Sequence, residues 1–161
     1  MFNRILVGLE NTPASKTAFE YAVRLARQER AELHVISVGS IPEITAGTID
    51  EIRDAQRHAQ AELVPLVKAG RELAEAKGQP VVTDIRFGHA ADVINAYAAE
   101  HGVDLIVLGK QRRHLGSVGE RVIRHAHALC LWQARPRSLN TQALLIIEKK
   151  TGRFAKTPVK S

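Results

Sequence analysis

The hydrophobic positions of this chain follow two alternating periods. Short apolar runs rich in β-branched residues, such as 5–9 and 105–108, predict buried strands. Between such runs apolar residues recur every three or four positions, as Phe19, Ala22 and Ala26 do, and this predicts amphipathic helices. The predicted strands are 4–9, 33–38, 81–87, 105–108 and 128–132, and the predicted helices are 13–29, 49–77, 90–101 and 118–127.

Three local signals refine these elements. Thr12 followed by Pro13 predicts the N-cap and the first residue of the first helix. Pro65 lies inside the second predicted helix, so we expect a kink near 61–65 or two helices in tandem. The third strand, 81–87, alternates apolar and polar positions, so we expect it to have one wet face and to lie at a sheet edge.

The alternation of strands and helices predicts an α/β fold with a parallel sheet covered by helices on both faces. Ligands of such sheets bind at the carboxyl ends of strands, where the winding direction reverses. We therefore expect ligand contacts where the first and fourth strands end, at residues 9–10 and 108–109. A further apolar run at 142–148 predicts either an added edge strand or part of a dimer interface.

The segment 104–126 carries the strongest sign of ligand chemistry. Ser117 and Glu120 have the spacing of a capping box, which marks the start of a helix. The free N–H groups of a first helical turn, together with the helix dipole, form a site for anions such as phosphate. Gly116 leaves the backbone open to a close approach. The alternative is an ordinary strand-to-helix turn without a ligand.

Length and composition limit the remaining choices. The 161 residues fit one domain with short extensions, and the single cysteine, Cys130, excludes an intramolecular disulfide. Since neither a signal-peptide pattern nor a membrane-spanning apolar run occurs, we expect a cytoplasmic protein without membrane insertion. The net charge is +6, but residues 149–161 carry five basic and no acidic residues, so the remainder has a charge of only +1. Such a tail is either a disordered, solvated end, which we expect, or a contact for nucleic acid.

Four segments taken together resemble the universal stress protein family. They are ILVGLENTPAS, AELHVISV, GHAADVINAYAAEHGVDLIVLG and LGSVGERVIRHA, in the family's order over about residues 3–133. The resemblance implies a Rossmann-like sheet of five parallel strands in the order 3-2-1-4-5, usually within a homodimer. It also implies a stress-response protein from a family in which one branch binds ATP and another lacks the binding motif.

In the ATP-binding branch, an aspartate at the end of the first strand and a main-chain group of the second strand hold the adenine. A loop of pattern G-x2-G-x9-G-[ST] wraps the ribose and phosphates. Carried over to this chain, the resemblance implies base contacts at Gly8, Leu9, Glu10 and Val35, and ribose and phosphate contacts at Gly109, Gly116, Ser117 and Val118. From the strand end and the added cations we include Leu108, Lys110 and Arg112 among the candidate ligand contacts.

This chain departs from that pattern at three points. Glu10 replaces the aspartate, Arg112 replaces the middle glycine, and the nine-residue spacer is reduced to residues 113–115. The shortened loop changes how phosphates would be covered. Lys110, Arg112 and Arg113 add cations beside it, and guanidinium groups bind phosphate oxygens in pairs.

The sequence shows no set of catalytic residues. Neither the P-loop pattern nor G-x-G-x-x-G occurs. His125 and His127 are two positions apart, so they point away from each other on a helix and make a poor metal pair. We therefore expect no enzyme activity beyond weak ATP hydrolysis, and no metal other than magnesium that accompanies a nucleotide.

Two function classes remain open. The first is a stress protein that binds ATP or AMP as a regulatory ligand within a homodimer. The second is a nucleotide-free, dimeric interaction module of the same family, which the shortened loop favours. In both, we expect a family domain at 1–134, a C-terminal extension at 135–148 that forms an edge strand or dimer contact, and a disordered tail at 149–161.

Overall fold

The computed structural model describes residues 2–40, 48–110, 117–126, 129–134, 144–147 and 154–156. The helices are α1 (Pro13–Glu29), α2 (Ile49–Ala76), α3 (Ala90–Glu100) and α4 (Ser117–His125). The strands are β1 (Arg4–Gly8), β2 (Glu32–Gly39), β3 (Val81–Phe87), β4 (Leu105–Lys110), β5 (Leu129–Ala134), β6 (Leu144–Ile147) and β7 (Phe154–Lys156).

The strands form one sheet in the order β3-β2-β1-β4-β5-β6-β7. β1 pairs in parallel with β2 and β4, and β2 pairs in parallel with β3. The predicted α/β class, the parallel sheet and the edge position of β3 are thus confirmed for the strand order 3-2-1-4. Helices α1 and α2 lie on one face of the sheet, and α3 and α4 lie on the other.

The sheet has more strands than the five predicted, and not all of them are parallel. Beyond β4 the sheet continues with β5 in parallel and then with β6 and β7, which are both antiparallel. The apolar run at 142–148 supplies β6, which pairs on both sides and so is not an edge strand. β7 lies within 149–161, the segment that the sequence predicts to be a disordered tail.

α2 is one continuous helix and not the predicted alternative of two helices in tandem. A capping box fixes its start, because Thr48 Oγ1 accepts from the N–H of Glu51 and the Glu51 carboxylate accepts from the N–H of Thr48. Its second half is held against the sheet by the buried residues Val67, Gly70 and Ala74. These contacts offset the hydrogen bond that Pro65 removes, a defect that costs roughly 3 kcal/mol in a helix interior.

Two hydrophobic clusters hold the layers together. The first lies under α1 and α2 and includes the fully buried Ile5, Val7 and Val35. The second lies under α3 and α4 and includes Leu6 and Ile106. Consecutive residues of β1 therefore face opposite layers, as a strand buried on both sides requires. Within the described segments, no helix is both long and apolar enough to cross a membrane.

Candidate functional site

The carboxyl end of β1 forms the centre of the candidate site. The N–H of Leu9 donates to the carbonyl oxygen of Ile36 at 2.8 Å, and the buried hydroxyl of Ser37 donates to the carbonyl oxygen of Leu9 at 2.7 Å. The Leu9 side chain packs into the core against Gly70 of α2. A Cβ added to Gly70 would lie only 2.8 Å from Leu9 Cδ2. Glu10 follows with an exposed side chain. The main chain is thus fixed while the carboxylate reaches solvent.

Ser15 ties the start of α1 to this strand end. Its hydroxyl accepts a hydrogen bond of 2.7 Å from the N–H of Glu10 and donates one of 3.1 Å to the carbonyl oxygen of Gly8. The N–H of Ser15 donates in turn to Thr12 Oγ1 at 3.2 Å. Thr12 is therefore the N-cap and Pro13 the first helical residue, as predicted.

The end of β4 forms the second wall of the site. A Cβ placed on Gly109 would lie 2.6 Å from the carbonyl carbon and oxygen of Ala14 and 2.7 Å from the Ser15 nitrogen, closer than real Cβ atoms come. Only glycine lets β4 pack this tightly on the first turn of α1. Leu108 is buried beside Gly8, with its Cδ2 atom 3.5 Å from the position of a Cβ on that glycine.

The helix α4 begins at Ser117, one residue before the predicted start. Val118, in its first turn, is 39% exposed, and Val122 is fully buried against α3. Arg121 donates to both carboxylate oxygens of Asp92 on α3, at 3.1 and 2.9 Å, which ties the two helices together. The position of α4, and so of its amino end, is thus fixed by its contacts with α3.

Some of the sequence-predicted site residues lie close together in the structure, and others are not among the described residues. Gly8 lies beside Leu108, and Gly109 packs on the first turn of α1, where Ser15 is hydrogen-bonded to Gly8 and Glu10. Three further positions lie on β2, β4 and α4, at Val35, Lys110 and Ser117 respectively. Two more predicted contacts, Arg112 and Gly116, lie outside the described residues.

Val35 is set back from the strand end. It pairs with Val7 in the β1–β2 register, one position before Gly8, and its side chain is completely buried. Its predicted role as a main-chain contact for a base therefore stays a prediction, and its side chain is part of the core.

A polar cluster lies beneath α3, between β2 and β3. Buried His34 is joined to the hydroxyl of Tyr97 through Nδ1 at 2.8 Å, and the Tyr97 ring stacks on His101 with centroids 4.0 Å apart. Arg86 lies over the other side of this arrangement, 4.6 Å from the Tyr97 ring centroid. Burial lowers the pKa of His34, an effect that the carboxylate of Glu32 opposes.

Arg86 links this cluster to two carboxylates. Its guanidinium donates to Asp84 through Nε and to Glu100 through Nη1, both at 2.8 Å. The hydrogen bond from Arg86 holds the pKa of Glu100 below its usual range. Every charge in this arrangement has an internal partner, so we interpret it as a tie between β3 and α3. Among the described residues no group of three or more His, Cys, Asp or Glu side chains could hold a metal ion.

An open cavity of about 600 Å³ lies at the opposite, amino-terminal edge of the sheet. It lies between the end of α1 and the start of β3, and Arg27, Arg30, Gln79 and Pro80 are among its lining residues. None of the sequence-predicted site residues lines it. The sequence argument and this cavity therefore point to different ends of the strands.

Three positions that hold the main chain of β1 were missed from the sequence. Ser15 and Ser37 fix the main chain at the end of β1, and Asp104 fixes the start of the same strand by accepting from two backbone N–H groups, at 2.7 and 2.9 Å. For Ser15 a local signal existed, because it is the third residue after the N-cap. Nothing local marks Ser37 or Asp104, whose partners are 28 and about 100 positions away.

The fold places this chain in the class of doubly wound α/β proteins, a class whose ligand sites lie where the sheet reverses its winding. Residues 1–131 match the family model described as the universal stress protein family, and the chain belongs to that family. The universal stress protein YxiE of Bacillus subtilis is 32% identical over 139 residues, which cover 76% of this chain and 92% of that protein.

Two solved structures of similar fold contain adenine nucleotides. A universal stress protein in complex with cAMP has a TM-score of 0.63 at 21% identity, over 81% of this chain and 96% of that one. A family protein from Arabidopsis thaliana with AMP bound has a TM-score of 0.64 at 18% identity, over 86% and 95% of the two chains. At these identities the likeness shows the fold.

Proposed function

We propose that this universal stress protein binds ATP or AMP as a regulatory ligand at the carboxyl ends of β1 and β4. The observation that carries the proposal is the contact of Gly109 with Ala14, which brings the ends of β1 and β4 together around the start of α1. The adenine nucleotides held by two proteins of the same fold support the choice of ligand.

We assign one group or more to each part of the nucleotide. Glu10 would accept from the base, and Val35 would contact it through the main chain. Gly109 would lie against the ribose. The amino end of α4 at Ser117 would bind the phosphates through free N–H groups and the helix dipole. Lys110, Arg112, Gly116 and Val118 complete the proposed phosphate side, where magnesium would accompany ATP.

The proposed role is regulatory and not catalytic. A bound nucleotide stabilises the conformation that binds it better, and a partner protein can recognise that conformation. We propose that the nucleotide unit consists of β1–β5 with α1–α4, and that the protein acts as a cytoplasmic homodimer. Residues 135–148 would contribute to the dimer contact, together with β7, which is the last strand of the sheet beyond β6.

The direct test is a thermal-shift titration of the full chain with ATP, ADP and AMP, together with mass spectrometry of small molecules released by denaturation. A ligand at one hundred times its Kd stabilises a protein by about 2.7 kcal/mol, so binding must raise Tm. We expect Glu10→Ala to reduce the shift, and Glu20→Ala, an exposed carboxylate on α1, to leave it unchanged. The proposal is wrong if millimolar nucleotide leaves Tm unchanged and no nucleotide is released.

The second candidate is a nucleotide-free interaction module built on the same dimer. The shortened loop after β4 favours it, because three residues replace a nine-residue spacer in the family's phosphate motif. Light scattering after size exclusion separates the candidates. A dimer that persists and binds no nucleotide supports the module, whereas a dimer whose stability depends on AMP or ATP supports the regulatory ligand.

A further inference from the structure

The cavity at the amino-terminal edge of the sheet carries two positive charges without internal partners. Arg27, in the last turn of α1, and Arg30, directly after that helix, both line it. Within the part of the chain that the structure describes, neither guanidinium forms an ion pair or a hydrogen bond. By contrast, the guanidinium groups of Arg86 and Arg121 each hold a carboxylate. The two charges that line the cavity are therefore available to an anion.

Arg30 adopts a backbone conformation that favours glycine. Its φ of 57° and ψ of 36° lie in the left-handed region, and among the described residues it is the only one other than glycine with a positive φ. Glycine is the usual residue in this conformation directly after a helix, because a Cβ is disfavoured there. The helix dipole accounts for a cation at Arg27, in the last turn, but it does not require an arginine at position 30. Residues other than glycine that adopt such conformations cluster at functional sites.

Glu32 also lines the cavity, but its carboxylate is paired elsewhere. Its Oε2 atom lies 3.1 Å from Nε of Arg4, and its Oε1 atom lies 3.4 Å from Nε2 of His34. The cavity thus keeps an excess of positive charge, and the counter-charge for the two arginines must come from a ligand or from ions of the solvent.

Gln79 supplies a fixed hydrogen-bond acceptor in the cavity wall. The residue is 7% exposed, and its Nε2 atom donates to the carbonyl oxygens of Ala31 at 3.2 Å and of Pro80 at 3.0 Å. Because both partners are acceptors, the amide nitrogen must face them, and Oε1 is the free end. Among the described residues Oε1 has no hydrogen-bond partner, and it is not one of the polar atoms that are sealed from solvent without one. A ligand in the cavity can therefore donate to it.

Apolar residues form the rest of the wall. Pro80 precedes β3, and Val82 near the start of that strand is 43% exposed. The cavity volume of about 600 Å³ lies within the range of about 300–1,000 Å³ that is usual for small-molecule sites, in which a few polar groups are set in an apolar lining. The cavity therefore fits a ligand with an apolar body.

We propose that this cavity is a second ligand site, which binds a small organic anion with an apolar body and one hydrogen-bond donor. Arg27 and Arg30 bind the carboxylate or phosphate group of the ligand, because a guanidinium binds two oxygens of either group in parallel. Gln79 Oε1 accepts from the donor, and Pro80 and Val82 contact the apolar body. The site lies at the opposite end of the strands from the proposed nucleotide site and does not depend on it.

The test is a titration of the isotope-labelled full chain with para-hydroxyphenylacetate, followed by two-dimensional NMR. This probe has a carboxylate, a ring and a hydroxyl donor. We expect saturable shifts of backbone N–H signals within 27–32 and 78–82 and of the side-chain amide of Gln79, whereas the signals of residues 8–10 should not move. Three further probes vary one group each: phenylacetate lacks the donor, the methyl ester of the first probe lacks the charge, and phenyl phosphate carries the other oxyanion.

The probes should differ in affinity according to the group that is changed. Loss of hydrogen bonds to charged groups should weaken the methyl ester roughly tenfold or more relative to the acid. Loss of the hydrogen bond to Gln79 should weaken phenylacetate by about threefold or more. Whichever of phenylacetate and phenyl phosphate binds more tightly identifies the preferred oxyanion.

Arg30→Gly separates ligand binding from stability. Glycine relieves the left-handed conformation, so Tm should stay the same or rise, while the affinity for para-hydroxyphenylacetate should fall roughly tenfold. Arg27→Gln should weaken binding as well. Arg57→Gln on α2 is the control, because it removes the same charge from an exposed position outside the cavity and should leave the affinity unchanged.

Several outcomes would overturn the proposal. One is the absence of saturable shifts within 27–32 and 78–82 at millimolar probe. Equal binding of the acid and its methyl ester would exclude an anion site, and equal binding of para-hydroxyphenylacetate and phenylacetate would exclude the hydrogen bond to Gln79. An unchanged affinity in Arg30→Gly, or an equal loss in Arg57→Gln, would exclude the assigned role of Arg30. A lower Tm in Arg30→Gly would show that its guanidinium serves the fold. Nucleotide titrations bear only on the other end of the strands.

Discussion

Gly109 at the end of β4 and Ala14 in the first turn of α1 come so close that a Cβ on Gly109 would lie 2.6 Å from the Ala14 carbonyl carbon. The obstructing atoms belong to the backbone, so they cannot turn aside as the tip of a side chain can. This contact fixes how closely β4 approaches the helix start, and with it the distance between the two strand ends that form the proposed site.

Gly109→Ala should therefore destabilise the protein and weaken nucleotide binding together. We expect a loss of about 1–3 kcal/mol in the free energy of unfolding, the usual cost of overpacking a tight contact. Urea denaturation measures it. Gly8→Ala is the matched control at the neighbouring strand end, because the closest atom to its Cβ would be 3.5 Å away. Equal losses in the two variants would contradict the structural argument.

The features predicted correctly from the sequence depend on local patterns. The Thr12–Pro13 helix start is a short-range signal, and the parallel sheet follows from the alternation of strands and helices. The tandem-helix alternative at Pro65 failed because a long-range effect decided the outcome, namely the packing of the second half of α2 on the sheet. The extension of the sheet by β7 was missed because that strand is only three residues long and lies in a basic, polar segment.

The candidate site likewise contains residues that a local pattern indicates and residues that only long-range contacts reveal. Gly8, Glu10 and Gly109 could be located from strand ends and the family motif. The role of Ser37 could not, because it depends on a partner that is adjacent only in the folded sheet. The same is true of Asp104, which lies outside the site at the start of β1. The same holds for Ser15, whose capping position is visible in the sequence but whose hydrogen bonds to Gly8 and Glu10 follow from the path of the chain after β1.

Asp104→Ala should lower stability by loosening the start of β1. One carboxylate oxygen accepts from the N–H groups of Asn3 and Arg4, at 2.7 and 2.9 Å. Removing it leaves two backbone donors to water at the surface, so we expect a loss of about 1 kcal/mol, measured by urea denaturation. Asp104→Asn keeps an acceptor oxygen and should lose less. A full loss in the asparagine variant would show that charge matters more than the hydrogen bonds.

Arg86→Met should lower stability by removing the contacts that join β3 to α3. The guanidinium of Arg86 contacts Asp84, Glu100 and the ring of Tyr97. The Arg86 side chain is 29% exposed, so water weakens its two ion pairs. We expect a lower Tm and a loss of about 1 kcal/mol, and Arg86→Lys should not restore it, since an ammonium cannot bind both carboxylates as a planar fork does. Arg24→Met is the control, because Arg24 also lies over a tyrosine, 5.4 Å from the ring of Tyr21, but is exposed. A larger loss in the Arg24 variant would contradict this account.

His34 should make the protein less stable in mild acid. Its pKa is lowered mainly by burial; the positive charges of His101 and Arg4 act in the same direction, and Glu32 opposes them. The unfolded chain, in which a histidine titrates near a pKa of about 6.5, therefore binds more protons than the folded protein just below that pH. Stability is fully present above about pH 6.5 and falls as the pH decreases towards the folded-state pKa, by at most about 1.4 kcal/mol per pH unit for one proton.

Unfolding by urea at pH 7, 6 and 5 measures this dependence. His34→Gln lowers stability at pH 7, because it disturbs the buried contact with Tyr97, but it should flatten the decrease between pH 7 and 5. His58→Gln, at an exposed position on α2, should leave the wild-type decrease in place. If His34→Gln loses as much stability over this range as the wild type does, then protonation of another group governs the acid response. The buried imidazole would in that case act only through packing and through its hydrogen bond to Tyr97.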